Sequence, residues 1–376
     1  MKQLISFAYN NPPLFNKNEL LCRKKTISFE NTILYYAKKS GATSMIFLFL
    51  SQFSSKKYLY MDFKDVMLKN KDFLILIQEV YDFIKINKQI ILVVIENAPF
   101  VIDDIFINEI VFIFSINIEL KTKKLKNRNN FKILDLYPLD FEEYVLFKKN
   151  NTDNVFNFFI KDSTFANIVK NTTPLLHIAM QDIIFSSLVS KQEKEIFYLY
   201  LNHQGFDISI FQMYNKIKKE IKISKDVFYK VSKKLQEKKF IFLIQKYNQP
   251  AINKRIYFLD FNMPKAIKTT TNIKESIKNA ILLEMIKKDI DINEIFYADE
   301  LDFYIPSQKR SILLMIFTEL DDIKEHIWYL DAMININKDY LELVDIITID
   351  EQISGYTKKI KGVEYKISTF WEFATR

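Results

Sequence analysis

The sequence predicts an α/β protein whose first domain is a doubly wound parallel sheet, followed by a helix-rich segment and a smaller α/β segment. Two observations indicate the parallel sheet. Over the first 150 residues, short apolar runs alternate with stretches of helical periodicity, and the apolar runs are continuous rather than interrupted by polar residues. Strands with helices on both sides have this pattern because both of their faces are buried. Ligands of such sheets bind at the carboxyl ends of the strands.

Four strands and two helices are expected in this domain. The strands are predicted at 32–36, 57–63, 89–96 and 110–116. The helices are predicted at about 43–53 and 65–87, and the second has an amphipathic pattern. The chain contains four glycines, and Gly41 directly follows the first strand. A glycine there marks a turn that needs unusual backbone angles.

The turn at Gly41 resembles a phosphate-binding loop with altered residues. Gly41 and Thr43 match the pattern G-x-x-x-x-G-K-[ST], whereas Tyr36 replaces the first glycine and Ala42 replaces the lysine. Such a loop holds phosphates with backbone N–H groups, a lysine and the start of a helix, and its hydroxyl binds Mg²⁺. One alternative is that Lys38 or Lys39 supplies the missing charge. The candidate nucleotide-binding residues here are Lys38, Lys39, Ser40, Gly41, Ala42, Thr43 and Ser44.

The third strand ends in Glu96 and Asn97, at the place where a P-loop ATPase carries its Mg²⁺-binding acid. Glu96 preserves an acid, and Asn97 stands where a glutamate often orients the attacking water. An amide accepts no proton, so we expect ATP hydrolysis to be slowed even if the chain still binds nucleotide. The alternative interpretation is that Glu96 is only a charged residue at the end of a strand. Ser115 and Asn117 are the polar residues near the end of the fourth strand.

Residues 191–261 predict three helices followed by a β-hairpin. The helices are expected at about 192–203, 209–221 and 224–237, and the strands at 240–247 and 254–261. Ser224 is the expected N-cap of the third helix. This outline is that of a winged helix-turn-helix, which many proteins use to bind DNA.

The third of these helices has two distinct faces. Val227, Val231 and Leu235 recur at four-residue spacing and are expected to face the core. The opposite face and the hairpin carry the candidate DNA-binding residues Lys225, Tyr229, Lys233, Lys254 and Arg255. The alternative interpretation is a solvated face in a lysine-rich chain.

Composition and charge place only broad limits on the function. Lys and Arg number 54 against 46 Asp and Glu, and the net charge of +8 is spread along the chain, so it only weakly favours a polyanionic partner. The most apolar stretch, 90–120, is interrupted by acidic residues such as Asp103 and Asp104. It therefore lacks the roughly 18 uncharged residues of a membrane helix. We expect a soluble, cytoplasmic protein with no membrane partner.

Several segments, in order, resemble landmarks of a prokaryotic AAA-type P-loop ATPase family. They are YYAKKSGATSMIFLFLSQFSSKKYLYMDFKD, VVIENAPF, FSINIEL and KNRNNFKILDLYPLDFEEYV, followed by IKNAILLEMIKK and ADELDFYI. The box LYPLDFEEYV (136–145) is the most specific, and Arg128 stands where the family places an arginine before it. The resemblance implies a degenerate P-loop domain over 1–150, a helical connector and winged helix over 151–262, and a PD-(D/E)xK nuclease-like domain over 275–376.

The resemblance also implies a divalent-metal site in the last domain, and this chain departs from it. The candidate acids are Glu284, Glu300 and Asp302. Lys278 stands where the family's helix commonly carries an acid, and Leu314 and Ile316 stand where an acid-x-lysine is needed. We therefore expect no strand cleavage, with structural roles for Glu284 and Asp302.

The sequence leaves three functional hypotheses open. The leading one is a catalytically degenerate ATPase-like protein that acts by binding DNA or a protein partner, with weak or no binding of ATP or ADP with Mg²⁺. The second is a slow ATPase that uses Lys38 or Lys39, with Glu96 holding Mg²⁺. The third is a scaffold for protein partners or for other copies of itself.

Overall fold

The computed structural model describes residues 2–100, 110–117, 130–148, 154–171, 175–188, 190–249, 253–268, 271–316, 319–333 and 341–376. The chain divides into two compact units. The first comprises Met1–Pro138 and Phe165–Asn167, and the second comprises Leu139–Thr164 and Ile168–Arg376.

The first unit is built on a five-stranded parallel sheet. Its strands are β1 (Thr32–Tyr36), β2 (Tyr58–Asp62), β3 (Leu92–Glu96), β4 (Val111–Asn117) and β5 (Lys132–Leu136). Their order across the sheet is β2-β3-β4-β1-β5, and all neighbours are parallel. The predicted parallel sheet and its first four strands are confirmed. The edge strand β5 was not predicted, because Lys132 and Asp135 break its apolar run.

The helices of this unit are α1 (Lys2–Asn10), α2 (Ala42–Leu50), α3 (Val66–Lys69) and α4 (Phe73–Ile86). The buried side of α2 packs on the sheet in one apolar cluster. The prediction of a single helix over 65–87 is wrong, because the side chains of Asp65 and Asp72 each accept backbone N–H groups and each start a new helix.

The second unit contains the remaining elements. Its helices are α5 (Phe141–Lys148), α6 (Val155–Lys161), α7 (Ala166–Asn171, shared with the first unit), α8 (Leu176–Ser187), α9 (Lys191–Leu201), α10 (Ile210–Ile217), α11 (Lys225–Glu237), α12 (Ile273–Lys287), α13 (Leu320–Met333) and α14 (Phe370–Thr375). Its strands are β6 (Asp207–Ile208), β7 (Ile241–Lys246), β8 (Lys254–Phe258), β9 (Phe296–Ala298), β10 (Leu301–Ile305), β11 (Arg310–Leu314), β12 (Leu343–Thr348), β13 (Thr357–Ile360) and β14 (Val363–Thr369). They form one sheet in the order β13-β14-β12-β11-β10-β9-β7-β8-β6.

The predicted three helices and hairpin are present as α9, α10, α11, β7 and β8. The predicted N-cap is confirmed, because the side chain of Ser224 accepts the backbone N–H of Val227. The predicted core face needs one correction: Phe228 is fully buried, whereas Val227 is only half-buried. Strand β7 also pairs in parallel with β9, so the hairpin continues into the C-terminal sheet.

Candidate functional site

The loop between β1 and α2 contains two residues with positive φ. Gly41 is the N-cap of α2 and has φ of 92°, and Lys39 has φ of 64°. A Cβ at residue 41 would lie 2.9 Å from a methyl group of Leu21, which could shift, so the positive φ is the main reason for glycine at this position. The N–H groups at the start of α2 therefore lie at the carboxyl end of β1, as expected for a phosphate site.

Ala42, at the lysine position, belongs to the protein core. Its side chain is 5% exposed and packs in the same apolar cluster as Leu34 and Met45. The position consequently supplies no charge to the loop. Lys38 is half-buried and Lys39 is exposed, and both lie in the loop before Gly41.

Glu96 lies at the end of β3 and is 2% exposed. The Thr43 hydroxyl donates to its Oε1 at 2.5 Å, and the Tyr60 hydroxyl donates to its Oε2 at 2.6 Å. Burial raises the pKa of Glu96, and these two hydrogen bonds oppose part of the rise. Burial and the neighbouring Glu96 carboxylate raise the pKa of Tyr60, so its hydroxyl remains a donor.

Tyr36, at the first glycine position, is 6% exposed and donates its hydroxyl to Oδ1 of Asn97. Because β4 lies between β1 and β3, this contact spans the carboxyl end of β4. Asn97 in turn donates Nδ2–H to Asp62 at 2.5 Å, and its backbone N–H donates to the Ser115 hydroxyl at 3.1 Å. Asn97 is thereby held by two contacts of its side-chain amide and one of its backbone N–H.

Other predicted residues of the first unit have varied environments. The Ser40 hydroxyl is buried, and within the described residues it has no hydrogen-bond partner. Ser44 is half-buried in the first turn of α2, and Asn117 is the half-buried last residue of β4. Arg128 lies outside the described residues. Sequence reasoning missed Arg23, whose guanidinium donates to the carbonyl oxygens of Ser40 at 2.6 Å and Tyr137 at 3.0 Å.

These residues fit Mg²⁺ better than they fit a triphosphate. Thr43 and Glu96 place a hydroxyl and a carboxylate together, which is the oxygen pair that Mg²⁺ would take in such a loop. When bound, Mg²⁺ would neutralise phosphate charge. Tyr60 competes for the same carboxylate, and Ala42 leaves the β- and γ-phosphates without their lysine. Asn97 has no basic oxygen with which to take a proton from water.

A groove beside α2 is too small for a whole nucleotide. Its volume is about 120 Å³, whereas pockets for drug-sized ligands occupy roughly 300–1,000 Å³. Apolar side chains such as Ile27, Met45 and Phe49 line it, and Arg23 and Lys25 contribute to its wall.

In the second unit, Asp302 on β10 is engaged by protein groups. Lys278 Nζ lies 2.8 Å from its Oδ1, and the backbone N–H of Leu314 donates to its Oδ2 at 2.8 Å. Lys278 also lies 3.2 Å from Oε1 of Glu275. The ammonium group of Lys278 thus contacts the carboxylate that the resemblance assigns to a metal.

The other predicted acids have different partners. Glu284 is buried on α12 and accepts the backbone N–H of Phe141 at 2.8 Å, at the start of α5. Glu300 is exposed in the tight turn between β9 and β10, with φ of 64°. Within the described residues, no three His, Cys, Asp or Glu side chains are grouped so that they could hold a metal ion.

The predicted DNA-binding residues fall into two sets. Lys225, Tyr229 and Lys233 are exposed on α11, as predicted. Arg255, by contrast, contacts Asp207 at 3.0 Å and lies over the ring of Tyr297. Its guanidinium group is therefore engaged by residues of the second unit. Lys254 is half-buried, and burial lowers its pKa. No helix in the described part of the chain has the length and apolarity needed to cross a membrane.

Comparisons with known proteins add weak similarities. No family model and no curated protein matches the chain. A Walker-type ATPase of Pyrococcus abyssi is 10% identical with a TM-score of 0.40, covering 62% of this chain and 89% of that one. The Orc1 protein of Aeropyrum pernix in complex with DNA is 11% identical with a TM-score of 0.29, covering 69% and 88%. Drosophila ORC bound to AT-rich DNA and Cdc6 is 14% identical with a TM-score of 0.19, covering 61% and 81%. These TM-scores are below 0.5, so no conclusion about activity or partner follows from them.

Proposed function

We propose that this chain is a catalytically degenerate ATPase-like protein that acts by binding DNA through the exposed face of α11. The observation that carries the proposal is the contrast between the two kinds of predicted site. The catalytic positions are occupied by internal contacts, whereas the DNA-binding face is exposed and positively charged.

The loss of catalysis is supported by the contacts that hold each altered position. Ala42 is buried in the core, Asn97 is held by Tyr36 and Asp62, and both oxygens of Glu96 accept hydrogen bonds. We infer that nucleotide binding is weak or absent, since the loop retains its N–H groups and the Thr43–Glu96 pair without the phosphate lysine.

DNA binding is supported by the charge and exposure of α10 and α11, which we interpret as the helices of a winged helix-turn-helix. Residues 210–237 contain eight lysines against three acidic residues. Lys225, Tyr229 and Lys233 share an exposed face, while the opposite face is buried around Phe228 and Leu235. Contacts from such a face to phosphates would be largely independent of DNA sequence and steeply salt-dependent.

We expect the double variant Lys225→Glu, Lys233→Glu to bind DNA about tenfold or more weakly than the wild type at low salt. The reason is that two phosphate contacts become repulsive, and the salt slope should fall by about one per lost contact. Fluorescence anisotropy of a labelled duplex across a salt series measures both quantities. The matched control is Lys69→Glu, Lys88→Glu, which changes the net charge equally at exposed positions of the first unit. Equal binding by the two double variants would contradict the proposal.

The two other hypotheses remain distinct in their observable consequences. A slow ATPase would need Lys38 or Lys39 at the phosphates and Glu96 at Mg²⁺, and the Thr43–Glu96 contact is the observation that favours it. A scaffold for a protein partner or for further copies of this chain would use the α11 face without any salt-dependent affinity for DNA.

A further inference from the structure

The exposed face of α10 and α11 carries aromatic rings as well as lysines. Phe211 is 50% exposed in the first turn of α10, and Tyr229 is 37% exposed on α11. Lys225 Nζ lies 5.3 Å from the ring centre of Phe211 and 5.7 Å from that of Tyr229. The ammonium group therefore lies over one face of each ring, while much of both rings remains exposed. We refer to Phe211, Lys225 and Tyr229 as the aromatic-lysine platform.

The platform is held in place by buried aromatic rings behind it. Phe211 contacts Tyr214 with ring centres 6.3 Å apart, and Tyr214 contacts the fully buried Phe228 at 5.9 Å. Phe228 contacts Tyr229 at 6.2 Å, which closes a continuous chain of rings between the two helices. Both helices are also capped, by a Ser209–Gln212 capping box and by Ser224. Rings fixed in this way lose little conformational entropy when a ligand stacks on them.

The chemistry of the platform identifies the kind of ligand that it suits. Large exposed aromatic side chains beside lysines favour unpaired bases, because a base can stack on a ring while its phosphate meets an ammonium group. A duplex keeps its bases stacked inside and offers only phosphates and groove edges to this surface. The lysine excess around the platform also complements a polyanion, which an apolar protein partner would not require.

We propose that the aromatic-lysine platform binds single-stranded nucleic acid by stacking unpaired bases on Phe211 and Tyr229. The inference rests on the proposed DNA-binding function and specifies the form of the nucleic acid. Lys225 contacts the phosphate next to the stacked base, and the platform prefers single strands to duplexes for this reason.

The test compares a single strand of about 15 nucleotides with the duplex of the same sequence, using wild type and the double variant Phe211→Leu, Tyr229→Leu. We expect the wild type to bind the single strand roughly tenfold more tightly. The leucine variant should lose about 10- to 100-fold of single-strand affinity and less than about twofold of duplex affinity. The matched control, Phe211→Tyr, Tyr229→Phe, keeps both rings and should bind the single strand like the wild type. A 2-aminopurine base in the strand should be quenched by the wild type and not by the leucine variant.

The outcomes separate this inference from the proposed function. Unchanged single-strand binding by the leucine variant, or equal wild-type affinity for strand and duplex, would overturn the stacking inference and leave charge-based DNA binding in place. Binding of neither nucleic acid at low salt would overturn both. A far-ultraviolet circular dichroism spectrum and a urea midpoint matching the wild type show that the leucine variant is folded. A variant that fails this criterion is replaced by the single variant Tyr229→Leu, with the same expected direction.

Discussion

Replacement of Lys278 by methionine is expected to lower the free energy of unfolding of the second unit by about 3–5 kcal/mol. Lys278 is 13% exposed and contacts Asp302 at 2.8 Å and Glu275 at 3.2 Å. Burial alone would lower the pKa of Lys278, but the two carboxylates outweigh it and raise the pKa, so the lysine is charged at neutral pH. Methionine has similar length without the charge. It would leave Glu275 without the lysine and Asp302 with the more distant guanidinium of Arg255, at 3.6 Å.

The measurement is urea unfolding followed by tryptophan fluorescence. Trp328 and Trp371 are the two tryptophans of the chain, and both belong to the second unit. The control is Lys274→Met, at an exposed position of the same helix, which should change stability by less than about 0.5 kcal/mol. The double variant Lys278→Met, Asp302→Asn should recover part of the loss. A loss below about 1 kcal/mol for Lys278→Met would show that the ammonium group does not stabilise these acids.

Glu284 is expected to make the second unit less stable as the pH rises towards 7. Burial raises the pKa of Glu284 to about 7, and Asp140 contributes to the rise, while Lys287, Lys288 and the hydrogen bond from the backbone N–H of Phe141 oppose it. Between the ordinary value near 4.5 and 7, the folded state therefore binds a proton that the unfolded state has lost. Stability falls with pH across that interval, by up to about 3 kcal/mol, because one pKa unit corresponds to roughly 1.4 kcal/mol.

The variant Glu284→Gln tests this sign. A glutamine can still accept the Phe141 N–H, and it cannot ionise. We expect it to match the wild type near pH 5 and to be more stable by about 1–3 kcal/mol at pH 8. The exposed Glu325→Gln serves as the control, with no pH-dependent difference expected. A stability gap that stays constant between pH 5 and 8 would contradict the assignment.

Local patterns in the sequence predicted most strands of the first unit. They predicted few of the hydrogen bonds that hold the side chains of its candidate site. The runs TILYY and LVVIE became β1 and β3, because continuous apolar residues leave few alternatives to a buried strand. The turn at Gly41 between β1 and α2 was also predicted from its place after the first apolar run. Tyr60 was missed as a partner of Glu96, since the contact joins strands 36 residues apart. The alternation in β2 places Tyr58, Tyr60 and Asp62 on one side, which is a signal that could have indicated it.

In the second unit, the cationic residues of the hairpin have contacts that the sequence does not indicate. Lys254 and Arg255 were predicted to meet DNA because both are cationic and lie in the hairpin. One partner of Arg255 is Asp207, 48 residues away on β6, a strand of two residues that has no sequence pattern of its own, and another is Asp302 at 3.6 Å. Lys278 stands where the resemblance expects an acid, and nothing in the sequence indicated its ion pair with Asp302.

The turnover of ATP by the purified chain with Mg²⁺ decides whether the loop between β1 and α2 is catalytic. We expect no hydrolysis above that of a Glu96→Gln, Thr43→Ala variant, because loss of the phosphate lysine and of the water-orienting carboxylate each commonly costs about 10²-fold or more. The variants Lys38→Ala and Lys39→Ala should then leave the signal unchanged. A turnover near the ~1 s⁻¹ lower end of typical enzymes, abolished by either lysine variant, would contradict the account and establish a working ATPase.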